Sequence, residues 1–241
     1  MSTNPELPGQ TVVVIGGSAG IGLETARRAR AEGAEVVLTG RDPERLKSAA
    51  AEVDARETAV FDANDSAELE RFFAGLDSPV DHVMCAAGGP YYSSLADMDF
   101  AEARRALQER PMLMVGVARY ARVRPGGTLL FMGSSGGRDP KVGIGLMSAM
   151  HVALPALTAS LAIEIAPVRI NLIAAGFVDT PLSASLLGDQ LDARRAQLRA
   201  TLPIGRVVSP ADVAALAVHL MVNTAITGAT YDIDGGEPLV T

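Results

Sequence analysis

The chain has 241 residues, 48% of them hydrophobic and 20% charged, enough apolar surface for a packed core and too much for a disordered segment. Lys and Arg number 21 against 28 Asp and Glu, a formal net charge of −7 at pH 7, which makes the chain a poor candidate for non-specific nucleic-acid binding. Cys85 is the one cysteine and His82, His151 and His219 are the histidines, so an internal disulfide and a multi-cysteine metal site are excluded and no zinc-ligand spacing is present.

The polar stretch Met1–Gln10, with Glu6 and two prolines, has no apolar signal-peptide core, so a cytoplasmic protein is expected. A strand is predicted over Thr11–Ile15, a short β-branched run stopped by glycines and buried on both faces. A helix follows over Gly20–Glu32 and ends at Gly33. Glu35–Thr39 reads as the second strand and Pro43–Val53 as an amphipathic helix with Asp42 at its cap. Thr58–Phe61 and Ser66–Ala74 repeat the pair. Val80–Ala86 and Thr128–Met132 read as central strands around a long helical region, about Asp97–Arg122, in which Pro111 predicts a kink. Val168–Ala174, a helix near Asp189–Ala200, Pro210–Val222 and Thr230–Ile233 complete the order. No repeat or linker divides the chain. Strand–helix alternation with short connections predicts an α/β fold: one domain over 1–241, a doubly wound parallel sheet of about seven strands, helices on both faces.

Val142–Ile163 contains no Asp, Glu, Lys or Arg and is long enough to cross a bilayer. Ser148, His151, Pro155, Thr158 and Ser160 interrupt it, and the alternation elsewhere favours a helix buried in the domain or between subunits. No membrane partner is expected.

The first strand runs into Gly16-Gly17-Ser18-Ala19-Gly20-Ile21-Gly22. Gly16 permits a tight turn, Gly20 lets backbone approach a phosphate, and Gly22 lets the helix pack on the strand with its N-terminus toward a pyrophosphate. This spacing resembles the fingerprint of the short-chain dehydrogenase/reductase family. Further landmarks follow in order: Cys85-Ala86-Ala87-Gly88, Arg169-Ile170-Asn171, Ala175-Gly176-Phe177-Val178-Asp179-Thr180, Arg206, Pro210-Ala211-Asp212, and Thr227-Gly228 with Asp232-Ile233-Asp234-Gly235-Gly236. The resemblance spans about residues 10–236 and implies a Rossmann fold that binds a nicotinamide dinucleotide through Gly16, Ser18, Gly20, Ile21, Gly22, Ala87, Gly88, His151, Gly176, Val178 and Thr180. NAD-preferring enzymes of this type carry an acidic residue after the second strand. Gly40-Arg41 stands there instead, so the resemblance implies NADP(H), with Arg41 on the 2′-phosphate. Pairing of Arg41 with Asp42 or Glu44 is the alternative. Asp62 resembles the family aspartate at the adenine, with a plain helix cap as its alternative.

The family reaction uses a Tyr-x-x-x-Lys pair on one helix and a serine at the end of the preceding strand. Ser134 matches the serine. Alignment back from Asn171 and forward from Ser134 puts Met147 at the tyrosine and His151 at the lysine. A thioether has no proton to give. The family's asparagine on the long helix is also missing from Leu107-Gln108-Glu109-Arg110-Pro111, where Glu109 is the candidate replacement. Cys85 reads as a small buried hydrophobe rather than a reactive thiol.

Three readings follow. The first is an NADP(H)-dependent oxidoreductase with a relocated proton donor: His151, expected to titrate near neutrality, or Tyr91 and Tyr92, in a loop expected to overhang the cofactor. The second is a cofactor-binding sensor or partner subunit without redox chemistry. The third is a non-redox dehydratase or isomerase with His151 as base. Pro181–Leu187 is small and apolar where the family has its substrate lid, which implies a small, mostly apolar substrate. The family also implies a homodimer or homotetramer formed partly through the 142–163 segment.

Overall fold

The computed structural model describes residues 6–138 and 141–240; residues 1–5 of the polar leader lie outside them. Seven strands form one parallel sheet: β1 (Thr11–Ile15), β2 (Glu35–Gly40), β3 (Glu57–Val60), β4 (Val80–Cys85), β5 (Val123–Ser134), β6 (Arg169–Ala175) and β7 (Thr230–Ile233), in the order β3-β2-β1-β4-β5-β6-β7. The helices are α1 (Gly20–Ala31), α2 (Pro43–Val53), α3 (Ser66–Gly75), α4 (Phe100–Tyr120), α5 (Gly145–Glu164), α6 (Pro181–Leu187), α7 (Leu191–Thr201) and α8 (Pro210–Val222).

Two cores follow from strand alternation. Val12, Val14, Val36, Leu38, Leu130 and Ile173 face α1, α2 and α8, where Ala26, Leu46 and Val213 meet them. Val13, Ile15, Val37, Val83, Phe131 and Leu172 face α3, α4 and α5, against Phe73, Val117 and Leu154. Every residue of β1 and β6 is buried, as helices on both faces require. Arg169 is the buried charged residue of these two strands. Its guanidinium donates to the Gly126, Leu220, Met221, Asn223 and Ile226 carbonyls and so closes the C-terminus of α8.

Most predicted elements recur within a residue or two. The strand expected over Thr128–Met132 begins five residues earlier, at Val123, which pairs with Val80. α4 is one continuous helix with Pro111 inside it, and its Leu113, Met114 and Val117 belong to the core on that side of the sheet. The expected lid is a helix rather than an open loop: Thr180 and Ser183 form a reciprocal capping box at the start of α6, with Pro181 in the first turn.

α5 is long and apolar enough to cross a membrane by length and composition. One side of it, Met147, Met150, Leu154, Thr158 and Leu161, is buried in the protein core, while Val152 and Ile163 remain exposed.

Candidate active site

A cleft of about 1140 Å³ opens at the C-terminal ends of β1, β2 and β4, where the order of strands reverses around β1. Its floor is the glycine turn. The Gly16 and Gly17 amides both donate to Thr39 O, at 3.1 and 3.0 Å, and Ala86 N donates to Ile15 O at 2.8 Å. These bonds bring the turn after β1 against the turn after β4. Gly16 has φ +82°, and a Cβ there would stand 2.8 Å from Ala87 N, so no other residue fits. At Gly22 a Cβ would collide with the Gly16 carbonyl oxygen.

The N-terminus of α1 forms one wall. Its cap residue Ala19 offers no side-chain acceptor, whereas Asp42 and Asp65 cap α2 and α3 with carboxylate oxygens. The first amides of α1 are therefore left for an anion in the cleft, and the helix dipole adds to the attraction. Arg41 stands at the rim, exposed. Asp42 is engaged by Arg45 at 2.9 Å, and among the described residues Arg41 makes no ion pair with Asp42 or Glu44. Asp62 also lines the cleft and accepts Asn64 N at 3.0 Å; the cap of α3 is Asp65, which removes the plain alternative for Asp62. Thr180, Pro181 and Leu182 close the mouth from α6. Arg195 clamps Asp179 with two bonds of 2.9 and 2.8 Å, and Arg194 meets Glu237 at 2.6 Å, tying α7 to the base of that lid.

The cleft wall thus holds Gly16, Ser18, Gly20, Ile21, Gly22, Arg41, Asp62, Ala87, Gly88 and Thr180. It does not include Gly176 or Val178. Gly176 packs under the Asp234 side chain, and Val178 is buried where its backbone bridges to Val208.

The other expected residues lie off the cleft wall, around the end of β5. Ser134 Oγ accepts Gly136 N at 3.2 Å in the tight turn Ser135–Arg138. A Cβ at Gly137 would lie 2.9 Å from His151 Cβ, so this turn lies directly on α5. Met147 and Met150 are buried in the core. His151 Nδ1–H donates to Met147 O at 2.8 Å. Because a carbonyl only accepts, the proton sits on Nδ1 and Nε2 keeps its lone pair.

Two expectations for proton donors need correction. Burial and the nearby Arg110 guanidinium push the His151 imidazole down to about 4, so it is neutral at pH 7 rather than poised near neutrality. Neither Tyr91 nor Tyr92 is part of the cleft wall. Tyr91 Oη makes a long 3.4 Å bond to Asp99 O while its ring packs on the core, and Tyr92 is 60% exposed. Cys85 is buried and its thiol is pushed up to about 11, as an inert hydrophobe should be.

Glu109 faces the cleft and pairs with Arg105 at 3.4 Å. Its neighbour Arg110 is the residue that points inward: Nη1 donates to Met132 O at 3.0 Å. Helical spacing carries the signal for it, since Ala103, Ala106, Arg110, Leu113 and Val117 form one stripe at intervals of three and four.

A family model described as enoyl-(acyl carrier protein) reductase matches residues 16–237. The chain belongs to the short-chain dehydrogenase/reductase family. It is 29% identical to a short-chain dehydrogenase/reductase of Stachybotrys chlorohalonatus, over 96% of this chain and 98% of that one. It is also 29% identical to an NADP-dependent (R)-specific alcohol dehydrogenase of Lentilactobacillus kefiri, over 95% and 97%. The solved structure of the MalC reductase/Diels-Alderase of Malbranchea aurantiaca superposes with a TM-score of 0.87 at 26% identity, covering 98% of this chain and 99% of that chain. Membership carries the single-domain Rossmann-like fold and an oxidoreductase of the short-chain type, a family that binds NAD or NADP.

Proposed function

We propose that the protein is an NADP(H)-dependent oxidoreductase acting on the carbonyl or hydroxyl group of a small, mostly apolar molecule. The observation that carries this reading is Arg41, a guanidinium without an ion-pair partner among the described residues, at the rim of the cleft next to Gly40, where NAD-preferring relatives hold an acidic side chain. The cleft volume, the glycine turn that tolerates no Cβ and the uncapped start of α1 all fit a dinucleotide. The alcohol dehydrogenase of Lentilactobacillus kefiri, NADP-dependent by name, supports the same choice. When bound, the cofactor would supply or accept hydride, and Ala87 and Gly88 are among the cleft residues that would hold it. Leu182 and Leu186, both about half exposed on α6, offer an apolar lid to the substrate.

In this reading Met147 and His151 stand where the family has its Tyr-x-x-x-Lys pair. Ser134 Oγ orients the substrate oxygen, and His151 Nε2, unprotonated at pH 7, takes the hydroxyl proton in oxidation and returns it in reduction. The sign of the pH dependence follows. Reduction needs the protonated imidazole and rises as pH falls from 7 toward 5; oxidation needs the neutral form and stays flat over that range. Tyr91 and Tyr92, off the cleft wall, are not assigned as acids.

A second reading, a cofactor-binding protein without turnover, is favoured by one observation: the buried thioethers of Met147 and Met150 fill the side of α5 that faces the core. NADPH oxidation across a broad carbonyl panel separates the two. Wild-type turnover that is lost in His151→Ala supports the first. Turnover confined to the double variant Met147→Tyr with His151→Lys overturns it in favour of the second.

The same proposal makes the protein a homodimer or homotetramer in the cytoplasm, with neither nucleic acid nor membrane as partner. Val152 at 59% and Ile163 at 82% exposure form part of an uncharged outer face on α5 that an identical face would cover. A monomeric mass in light scattering at micromolar concentration would remove that assignment.

A further inference from the structure

The loop Gly176–Thr180 joins β6 to α6 and brings Thr180 to the cleft wall. Each residue ahead of Thr180 is held from outside the cleft. Gly176 N donates to Ile233 O at 3.1 Å, and a Cβ there would stand 2.6 Å from Asp234 Cβ and 3.2 Å from Glu237 Oε2. Phe177 has the Arg194 guanidinium 5.8 Å from its ring centroid, within cation–π range. Val178 bridges to Val208. The Asp179 amide donates to Val208 O at 3.0 Å, and its carboxylate accepts two bonds from Arg195.

Arg194 is itself fixed. Nη1 donates to Gln197 Oε1 at 3.0 Å and Nη2 to Glu237 Oε1 at 2.6 Å. With 29% and 17% of their side chains exposed, Arg194 and Glu237 are better shielded than an ordinary surface pair, which contributes little. A planar guanidinium that stacks on a ring and donates to a carboxylate is constrained in two directions at once. Glu237, in the short turn Glu237–Leu239 after β7, thus reaches the loop twice: Oε2 lies over the Gly176 backbone, and Oε1 holds the cation on Phe177. At the other end of the loop Thr180 stands against the glycine turn, since a Cβ at Gly20 would be 3.5 Å from Thr180 Cβ. The uncapped start of α1 lies there too.

We infer that Glu237 is a positioning residue: through Arg194 and Phe177 it sets the loop Gly176–Thr180 so that Thr180 stays opposite Gly20, beside the helix start that would receive a pyrophosphate. The inference rests on the NADP(H) reading above. Glu237 is not part of the cleft wall and in this role touches no ligand. It acts by ordering the loop before binding, so that less of the binding free energy is lost in ordering it afterwards.

The test separates the loop from the rest of the cleft. NADPH and adenosine 2′,5′-bisphosphate, which has the Arg41 end but no pyrophosphate, are titrated against wild type, Glu237→Gln, Arg194→Gln and Arg194→Lys, with melting curves to confirm folding. Glu237→Gln and Arg194→Gln should each weaken NADPH about threefold to tenfold, a part of one charge-assisted hydrogen bond, and leave the bisphosphate unchanged. The two together should weaken it no further than the larger single loss, because they break one chain of contacts. Arg194→Lys, which keeps the charge, should recover most of the affinity. In the unsubstituted protein the Asp179 and Thr180 amides should exchange slowly with solvent before any ligand is added, a readout that stands even where a variant does not fold. Fast exchange at these amides in the free protein, or NADPH affinity unchanged in both glutamine variants, would overturn the inference. Equal loss of both ligands would overturn it in favour of a purely structural pair. Wild type that binds neither ligand would overturn the cofactor reading itself, and the role of Glu237 with it.

Discussion

At the ends of β1 and β2 the chain withdraws its side chains: glycines make the turn, α1 starts without a capping oxygen, and the result is an open cleft with Arg41 at its rim. At the end of β5 the same sheet does the reverse. Gly137 brings the turn Ser135–Arg138 onto α5, Met147 and Met150 are buried, His151 bonds its own helix, and Arg110 lies behind Gly88. On the proposed reading, binding and chemistry are separable on this fold. The backbone geometry that receives a dinucleotide depends on glycines and on strand order, whereas the reacting groups are side chains that can change without disturbing either.

The largest effect is expected where the open side is closed. Gly22→Ala drives a methyl group into the Gly16 carbonyl, so it should cost about 1–3 kcal/mol or more by overpacking and abolish measurable cofactor binding. Chemical denaturation with a parallel NADPH titration checks both. Intact binding would mean that the turn is not the cradle described here.

An effect of similar size in stability, spread over pH, comes from the strand floor and the packed side together. His82 is buried on β4, with Nε2 on Gln10 Oε1 at 2.7 Å, and burial pushes it down to about 4. The unfolded chain therefore takes up the proton first. Stability is complete above about pH 6.5 and is lost as pH falls toward 4, by about 3 kcal/mol from His82, and His151 acts in the same direction. Unfolding curves at pH 7, 5.5 and 4.5 measure it, and His82→Phe should flatten the slope. An unchanged midpoint between pH 7 and 4.5 would contradict the depressed histidines.

The smallest effect belongs to Met147, which is proposed to stand where the family has its tyrosine. Met147→Leu keeps the volume and removes a sulfur that has no proton to give, so turnover should change by less than about twofold. A large loss would return Met147 to the chemistry and blur the division between the two sides.

How far the sequence carries is uneven in the same way. β1, α2, α8 and β7 have the bounds that their apolar runs and caps predict, because β-branched runs, Asp42, Pro43 and Pro210 act locally. The cleft wall is legible too, since the glycine turn fixes the backbone wherever it occurs. The environment of the packed side is not. A histidine in sequence suggests a neutral-range acid; burial first, and then the proximity of Arg110, forty-one positions away along the chain, push the His151 imidazole down to about 4. Tyr91 and Tyr92 follow a Gly-Gly-Pro segment that gives no indication of which way the rings turn. Arg110 itself lay on a readable helical stripe, but its position next to Pro111 draws attention to the break expected there rather than to the face it occupies.

Equilibrium titration of nicotinamide fluorescence with NADPH and NADH tests most directly the proposal that the open side is a receptor for NADP(H) whatever the packed side does. Wild type should bind NADPH at least about tenfold more tightly than NADH, the scale of charge-assisted bonds to a phosphate. Arg41→Ala should erase that preference while NADH affinity holds. Equal affinities in wild type, or an NADPH preference that survives Arg41→Ala, would contradict it.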